Sequence, residues 1–432
     1  MEAILEKARR VAEEAEVFLV SSEETPVHFE ANRLKQVQSK QSTGVALRLV
    51  RGGRVGFASS NDPDDAEGLV NMAVDTAQFG SPARFQFPGP LKYPEVPVFD
   101  PATEKVTVKQ MIGLGEELIA AIIGHTPEIL CEAYVTRGTL SLRIANSRGG
   151  EAQYRASTFA LGIEGAVIRD TDMLFVGDGQ SSCHPILDTR EVAGLVKNQL
   201  ELARVTAKVG RKPLPVIFTP HGTADALVSP LMAALNGRLV LQGASPLAGK
   251  LGETLFDEKL SLSDDPTIAY RPHSRPCDDE GVASERTPLI DKGSVAGFFY
   301  DLQTAALAGT RSTGNASRQG GLPGPTPSAF IIAPGNTTFE EMVGDMKEGL
   351  VIEQLMGATQ SNVLGGDFSG NVLLGYKVEL GKIVGRVKNT MVSGNIYQVL
   401  KDITALGSEP RWVGSSLYTP AIYCPRLSVA SK

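Results

Sequence analysis

Five residues with chemically useful side chains lie within one short segment in the second half of the chain. They are His273, Cys277, Asp278, Asp279 and Glu280. An imidazole, a thiol and three carboxylates can bind a transition metal or transfer protons. Pro272 and Pro276 exclude the helix that would bring these groups to one face. We therefore interpret the acids as a structural turn whose carboxylates accept backbone N–H groups, and keep a residual acidic site as the alternative.

A second candidate site lies in the segment 309–318, which is rich in small residues and ends in an arginine. Its candidate substrate-binding residues are Ser312, Thr313, Gly314, Asn315 and Arg318. Small residues allow another chain to approach the backbone closely, and a guanidinium offers a planar set of donors. One interpretation is a peptide-binding cleft, in which an extended substrate pairs with a sheet edge through main-chain hydrogen bonds. The other is a buried loop that joins the sheets of the C-terminal domain.

The sequence around the other histidines favours structural roles. Cys183 and His184 are adjacent, and neighbours on a strand face opposite sides of a sheet. His221 lies at the start of a predicted helix, where a surface position near the cap is expected, and His28 lies in an alternating strand. No Gly-x-Ser-x-Gly motif occurs, so the sequence does not indicate a serine nucleophile.

The elements that must hold these residues are predicted to be helices and short antiparallel strands. Alternating apolar residues on both sides of Gly52-Gly53 predict a hairpin. Helices are predicted over residues 1–15, from Asp62-Pro63 to about residue 78, over 106–123, from a capping box at 188–191 to about 205, from Thr219-Pro220 to about 237, and over 396–404. Because strands and helices cluster rather than alternate, the fold class is predicted to be α+β.

Two breaks in composition predict a division into three parts. The proline-rich stretch 80–101 excludes both helix and central strand, and a second break lies at 210–215. We predict an N-terminal α/β subdomain with its linker at residues 1–100, a second α/β subdomain at 101–212 and a larger C-terminal β-rich domain at 213–432.

Composition excludes several classes of protein. A net charge of -7 and a pI near 5.5 argue against direct binding of nucleic acid. Four scattered cysteines are typical of a reducing compartment, and neither a signal sequence nor a membrane span is indicated. We expect a cytoplasmic protein.

A series of polar, glycine-containing motifs carries a resemblance to a known family. The motifs are Asp264-Asp265-Pro266, residues 277–281, 287–293 and 311–318, and Gly366-Asp367-Phe368-Ser369. Together they resemble the TldD/PmbA family, whose members are labelled modulators of DNA gyrase and are classed with metallopeptidases. The resemblance covers nearly the whole chain, and it implies a protein that acts on peptides or unfolded polypeptide segments.

The catalytic motif that the resemblance implies is absent. In the family, the TldD-type subunit carries an HExxxH segment shortly before an Ala-Gly-Lys-Leu-Gly-Glu element, and a cysteine near the C-terminus. This chain has the element at 248–253, but the motif window, residues 228–233, reads Val-Ser-Pro-Leu-Met-Ala. The late cysteine position reads Arg-Trp-Val-Gly-Ser at 411–415, and Cys424 lies in an apolar strand. The resemblance therefore implies the PmbA/TldE branch, with no metal bound by this chain.

Three functional hypotheses follow. The first is a non-catalytic subunit that forms a heterodimer with a TldD-like chain, the partner alone holding zinc, to process peptides. The second is a homodimeric peptide-binding or chaperone-like protein without protease activity. The third is an independent hydrolase that uses His273 and the acids beside it.

Overall fold

The structure is a computed structural model that describes residues 1–170 and 172–431. The first part of the chain builds one seven-stranded antiparallel sheet. Its strands are β1 (Glu14–Glu30), β2 (Arg33–Val37), β3 (Lys40–Arg51), β4 (Arg54–Ser60), β5 (Leu130–Asn146), β6 (Glu151–Arg169) and β7 (Asp172–Ser182). Their order is β4-β3-β1-β5-β6-β7, with β2 paired to β1, so β7 is an edge strand.

Five helices accompany this sheet. They are α1 (Glu2–Ala8), α2 (Ala66–Ala77), α3 (Pro101–Lys105), α4 (Val108–Ile123) and α5 (Arg190–Leu202). The apolar faces of α1 and α2 pack with β1, β3 and β4, and those of α4 and α5 pack with β5, β6 and β7. The sheet therefore contains strands from both sides of the predicted boundary near residue 100.

The remaining chain is richer in strands than in helices. The strands are β8 (Thr206–Ala207), β9 (Lys212–Phe218), β10 (Leu262–Asp264), β11 (Thr287–Asp291), β12 (Ser294–Val295), β13 (Ala316–Ser317), β14 (Gly324–Pro325), β15 (Phe330–Ile332), β16 (Glu348–Met356), β17 (Asp367–Glu379), β18 (Lys382–Val387), β19 (Thr390–Asn395), β20 (Ala405–Leu406), β21 (Arg411–Val413), β22 (Leu417–Thr419) and β23 (Ile422–Ser431). The helices are α6 (Pro220–Thr223), α7 (Ser229–Ala234), α8 (Gly237–Leu241), α9 (Leu302–Ala308), α10 (Phe339–Gly344) and α11 (Ile396–Val399).

These strands form two larger sheets and one short hairpin. One sheet has the order β16-β9-β23-β19-β17-β18-β8, and pairing of β16 with β17 closes five of its strands into a ring. The other has the order β12-β11-β10-β15-β22-β21, and β13 pairs with β14. The mixed α+β class with antiparallel sheets and a larger β-rich C-terminal part is confirmed.

Turn chemistry explains why the predicted hairpin and a second one form. Gly52 and Gly53 have φ values of 57° and 69°, which a type I′ turn requires at both central positions. Leu380 and Gly381, with φ values of 48° and 76°, make the corresponding turn between β17 and β18.

Several predicted helix boundaries are wrong. The first helix ends at Ala8 rather than near residue 15, and the cap of α2 is Asp65 rather than Asp62. The Thr189 hydroxyl donates to Glu117 at 2.5 Å instead of capping α5, which ends at Leu202.

Two further helices are shorter than predicted. The helix expected over 219–237 contains a π-helical turn, Ala224–Val228, ends at Ala234, and is followed by a separate α8. The last predicted helix, α11, ends at Val399 rather than Thr404. None of the helices in the described ranges is long and apolar enough to cross a membrane.

Candidate functional site

The structure brings the two candidate groups predicted from the sequence into one buried cluster. Asp278 has no solvent exposure, and its carboxylate accepts hydrogen bonds from the backbone N–H groups of Glu280, Val282 and Ala316 at 2.9 to 3.0 Å. The last of these donors belongs to the segment 309–318, so the acidic turn and the small-residue loop are held together. These backbone N–H bonds to a carboxylate are the contacts expected if the acids form a structural turn.

Glu280 connects this cluster to the N-terminal sheet. Arg48 on β3 donates to Glu280 at 2.5 Å and to Glu16 on β1 at 3.1 Å. Arg318 pairs with the same Glu16 carboxylate, and its Nε donates to the Asp279 carbonyl at 3.1 Å. Burial raises the pKa of Glu280, and the Arg48 charge opposes that increase. The network therefore links the first sheet to the C-terminal part through charges that water does not reach.

The other residues of the small-residue loop also form hydrogen bonds within the protein. Asn315 is fully buried and donates to Asp264 at 2.6 Å, while Thr313 donates to Asn315 at 2.7 Å. The Ser312 hydroxyl donates to the Tyr300 carbonyl at 3.2 Å. Gly314 has a φ of 70°, and a Cβ there would lie 2.9 Å from the Ala283 carbonyl oxygen. The loop therefore packs closely against other parts of the chain. Its predicted role in substrate binding stays a prediction.

His273 is separated from the three acids that follow it in the predicted cluster. Its Nε2 lies 2.7 Å from the Ser415 hydroxyl, whereas the acids make the contacts described above. Cys277 is buried, and burial raises the pKa of its thiol to about 12. The side chains that the catalytic alternative requires therefore do not converge on one site.

The segment that the family resemblance aligns with a zinc motif does not fit a metal. Residues 228–233 lie at the end of the π-helical turn and along α7, where Val228, Pro230 and Leu231 are buried. The nearest carboxylate in sequence, Asp225, accepts the Leu355 N–H at 2.8 Å. Within residues 1–170 and 172–431, no three His, Cys, Asp or Glu side chains are grouped to hold an ion. Without imidazole, thiolate or carboxylate donors, these positions cannot complete a zinc site.

A polar cleft beside this helix is formed by residues whose contacts sequence reasoning did not predict, including His221, which was expected at a surface position. His221 in α6 lies 3.6 Å from Asp178 on β7, and Arg411 on β21 lies 3.3 Å from the same carboxylate. Behind them, the half-buried Glu353 accepts from Thr219, the N-cap of α6, at 3.0 Å. The sequence separates these groups too widely for any local motif to reveal them.

Interactions between the charged groups of the cleft shift their pKa values. Burial raises the pKa of Asp178, but His221 and Arg411 outweigh burial, so the pKa lies below the usual value. Burial lowers the pKa of His221, but Asp178 and Glu353 reverse the direction, and the pKa is raised. The pKa shifts of Asp178 and His221 have the directions expected of a carboxylate paired with an imidazolium.

Two cavities meet at His221. One of about 350 Å³ and one of about 620 Å³ are both lined by His221, Glu164 and Gln354. The smaller cavity also borders Asp178 and the loop after β21, at Gly414. An elongated ligand could therefore lie between the edge of the first sheet and the C-terminal part, with charged groups available near its middle.

Family models match two regions of the chain. Residues 211–431 match the model described as the PmbA/TldA metallopeptidase C-terminal domain. Residues 15–77 match the model described as PmbA/TldA metallopeptidase domain 1. The first of these alone covers half of the chain.

Curated relatives align along nearly the full length. An uncharacterized protein of Methanocaldococcus jannaschii is 28% identical over 416 residues, covering 93% of this chain and 94% of the relative. The metalloprotease PmbA of Escherichia coli O157:H7 is 25% identical, covering 99% of this chain and 94% of the relative.

Solved structures show the same fold. TldE from Thermococcus kodakarensis superposes with a TM-score of 0.91 at 22% identity, covering 100% of both chains. A Thermotoga maritima protein, named as a candidate modulator of a DNA gyrase, superposes with a TM-score of 0.91 at 22% identity over 99% of both chains.

Proposed function

The chain belongs to the PmbA/TldD metallopeptidase family, and from this premise we propose that it is a PmbA/TldE-like subunit that binds no zinc itself. In this proposal, it pairs with a TldD-like chain that carries the metal, and the pair processes peptides or unfolded polypeptide segments. The observation that carries the proposal is the chemistry of residues 228–233, where family scaffold is retained around side chains that cannot bind zinc.

The chemistry of metallopeptidases explains why this observation matters. Such enzymes use a protein-bound zinc ion to polarise the peptide carbonyl and to lower the pKa of a water molecule. In this chain, the corresponding segment places Val228 and Leu231 in a buried apolar cluster. These side chains stabilise the helix by packing, and they leave the hydrolytic reagent to another subunit.

The cleft supports a role in holding peptide rather than cutting it. The two cavities around His221 and Asp178 form an elongated space along the edge strand β7. Extended polypeptides bind well to sheet edges, because main-chain hydrogen bonds supply affinity without requiring a particular sequence. A shared, enclosed chamber would restrict substrates to extended or small polypeptides.

The experiment compares the full chain alone with the full chain co-expressed with an HExxxH-bearing homologue from the same organism. We expect the lone chain to contain substoichiometric zinc by mass spectrometry of metals and to cleave no peptides. Co-expression should yield a heterodimer by light scattering, with zinc and peptidase activity. As a control, replacing the partner's motif glutamate by glutamine should remove activity and leave assembly intact.

Other outcomes would contradict the proposal. Stoichiometric zinc and peptide cleavage by the lone chain would make it a catalytic subunit. A stable homodimer that binds peptides and ignores the HExxxH-bearing homologue would favour the chaperone-like alternative. Turnover by the lone chain that disappears in Asp279→Asn and Glu280→Gln would favour the independent hydrolase.

A further inference from the structure

A third cavity, of about 330 Å³, lies next to the cleft at the far end of β7. Its wall includes Arg271, Trp412 and Tyr418 from the C-terminal part and Ser181 and Ser182 from β7. It shares Gln180, Ser181 and Gly414 with the cavity around His221, so the two spaces adjoin. An aromatic wall, a cation and hydroxyl groups together resemble a binding pocket more than a packing defect.

Arg271 has no counter-ion among the residues that the structure describes. Its guanidinium carbon lies 3.9 Å from the centre of the Trp412 ring. Its Nε and Nη2 are buried without hydrogen-bond partners, and no carboxylate oxygen in the described ranges lies within 4.0 Å of it. Burial lowers the pKa of Arg271, but a guanidinium remains charged in proteins. The pocket therefore contains a positive charge that the described side chains do not neutralise.

Two neighbouring arginines differ from Arg271, because each has a carboxylate partner. Arg411 pairs with Asp178 at 3.3 Å, and Arg275 pairs with Asp279 at 3.3 Å. The acid that lines the pocket, Glu191, lies on the exposed side of α5 and does not reach Arg271. Because burying an unpaired charge is costly, a ligand that brings a negative charge would be favoured there.

The edge of β7 indicates what kind of molecule carries this charge. The Gln199 amide bonds both the N–H and the C=O of Gly177, at 2.9 and 3.2 Å, on the outer side of β7. Alternate residues of a strand direct their main-chain groups to the same side, so those of Ser181 face outward as well. The Cys183 N–H, next in this series, donates to the Tyr270 carbonyl at 3.0 Å. Between these positions, the Gly179 N–H donates to the Asp178 carboxylate at 2.7 Å, and Ser181 can offer one donor and one acceptor to an extended chain.

We propose that this pocket binds a carboxylate of an extended peptide, with Arg271 as the cation, Trp412 as the stacking surface and Ser181 as the main-chain contact. The carboxylate can be the C-terminal group of the peptide or an Asp or Glu side chain. This inference rests on the proposed peptide-holding function and names the group that orients the peptide in the cleft.

The test uses the single tryptophan of the chain, which is Trp412 itself. Its fluorescence in the full chain is measured during titration with an acetylated tetra-alanine peptide carrying a free C-terminal acid, and with the same peptide amidated. A second pair of amidated peptides carries an internal glutamate or glutamine. We expect a saturable change with at least one acidic peptide, and about tenfold or more weaker binding of its neutral counterpart.

The two pairs separate the sources of the carboxylate. Preference for the free acid over the amide assigns the C-terminal group, and preference for glutamate over glutamine assigns a side chain. N-acetylalanine tests whether the main chain contributes. If it binds as tightly as the acidic peptide, the peptide part of the inference is wrong.

Variants locate the binding site. Arg271→Gln should weaken binding of the acidic peptide by about tenfold or more, with little effect on the neutral one. Arg190→Gln is the matched control, because Arg190 is 86% exposed and pairs with Asp188 on the surface. If Arg271→Gln does not fold, Arg271→Lys tests the planar guanidinium, and the wild-type comparison of acid with amide still decides.

Equal responses to acidic and neutral peptides, or unchanged binding by Arg271→Gln, would overturn the inference. Its failure is distinguishable from failure of the proposed function. If the pocket fails while the pair with a TldD-like chain still cleaves peptides, only the pocket is wrong. If acidic peptides bind at Trp412 but the lone chain holds zinc and hydrolyses them, the carboxylate-binding pocket is supported and the non-catalytic role is wrong.

Discussion

A substitution of Arg318 best distinguishes a structural role of the small-residue loop from a substrate-binding role. Its side chain is 4% exposed and pairs with Glu16 across the junction between the first sheet and the C-terminal part. Removing one member of a buried charge network leaves its partner desolvated, so Arg318→Ala should cost about 3 to 5 kcal/mol of the free energy of unfolding. Urea denaturation followed by circular dichroism measures this loss.

Arg311 supplies the control for that experiment. It lies in the same segment, is 79% exposed and pairs with Glu285 at the surface. Exposed pairs contribute little, so Arg311→Ala should change stability by less than about 1 kcal/mol. If Arg318→Ala is as stable as Arg311→Ala but loses peptide binding, the cleft interpretation of this loop gains and the structural one fails.

The His221–Asp178 pair predicts a pH dependence of stability. The folded pKa of His221 is raised above 6.5, so its contribution is complete well below pH 6.5 and is lost as pH rises through the folded pKa. The pKa of Asp178 is lowered below 3.8, so its contribution is present above that pH and is lost on acidification. The pair should therefore stabilise most near pH 5 to 6.

The variant that tests this is His221→Gln. It should lower the free energy of unfolding by about 1 kcal/mol near pH 5.5, with the difference vanishing at about pH 9. Thermal unfolding across this pH range measures the difference. A difference that grows as pH rises would contradict the assignment.

At the scale of elements, helix α5 protects the free edge of β7. Gln199 is 5% exposed and satisfies both main-chain groups of Gly177. Exposed sheet edges pair with other chains unless they are covered, and here one amide side chain covers part of the edge and leaves the part beside the pocket open. The boundary between covered and open edge therefore positions the proposed peptide.

Replacing this amide should loosen the edge. Gln199→Ala leaves the N–H and C=O of Gly177 without partners, and we expect a loss of about 1 to 3 kcal/mol. Hydrogen exchange of the Gly177 amide should become faster. Asn198→Ala, at an exposed position of the same helix, should leave both stability and exchange near wild type. Unchanged exchange in Gln199→Ala would show that the side chain does not protect the strand.

At the scale of the whole molecule, one apolar core joins the N-terminal sheet to the C-terminal ring of strands. The same buried cluster contains Val135 and Leu161 of the first sheet, helix α4, and Val351 and Tyr376 of the ring. Because this core and the Glu16–Arg318 network both span the junction, the parts should unfold together.

Cooperative unfolding is the measurable consequence. Circular dichroism reports the sheets, and Trp412 fluorescence reports the contact between β21 and the end of β7. We expect the two thermal transitions to coincide in the wild type. A separate, earlier fluorescence transition would show that the C-terminal part detaches before the sheets melt.

The sequence alone determined much of the local structure and the family. Glycines at turn positions predicted hairpins, because few other residues adopt positive φ at low cost. The motifs at 264–266, 277–281, 287–293, 311–318 and 366–369, taken together, predicted the family, and the family models confirm it. Helix ends were less predictable, since Thr189 donates to a glutamate of another helix instead of capping its own.

Only the tertiary structure decided which charged groups meet. Arg48 and Glu280 are separated by 232 residues and Glu16 and Arg318 by 302, yet each pair shares one buried network. Likewise, α6 brings His221 to Asp178, and β21 brings Trp412 to Arg271. Local spacing encodes turns and periodicity, whereas ion pairs and cavities depend on long-range packing that no short segment specifies.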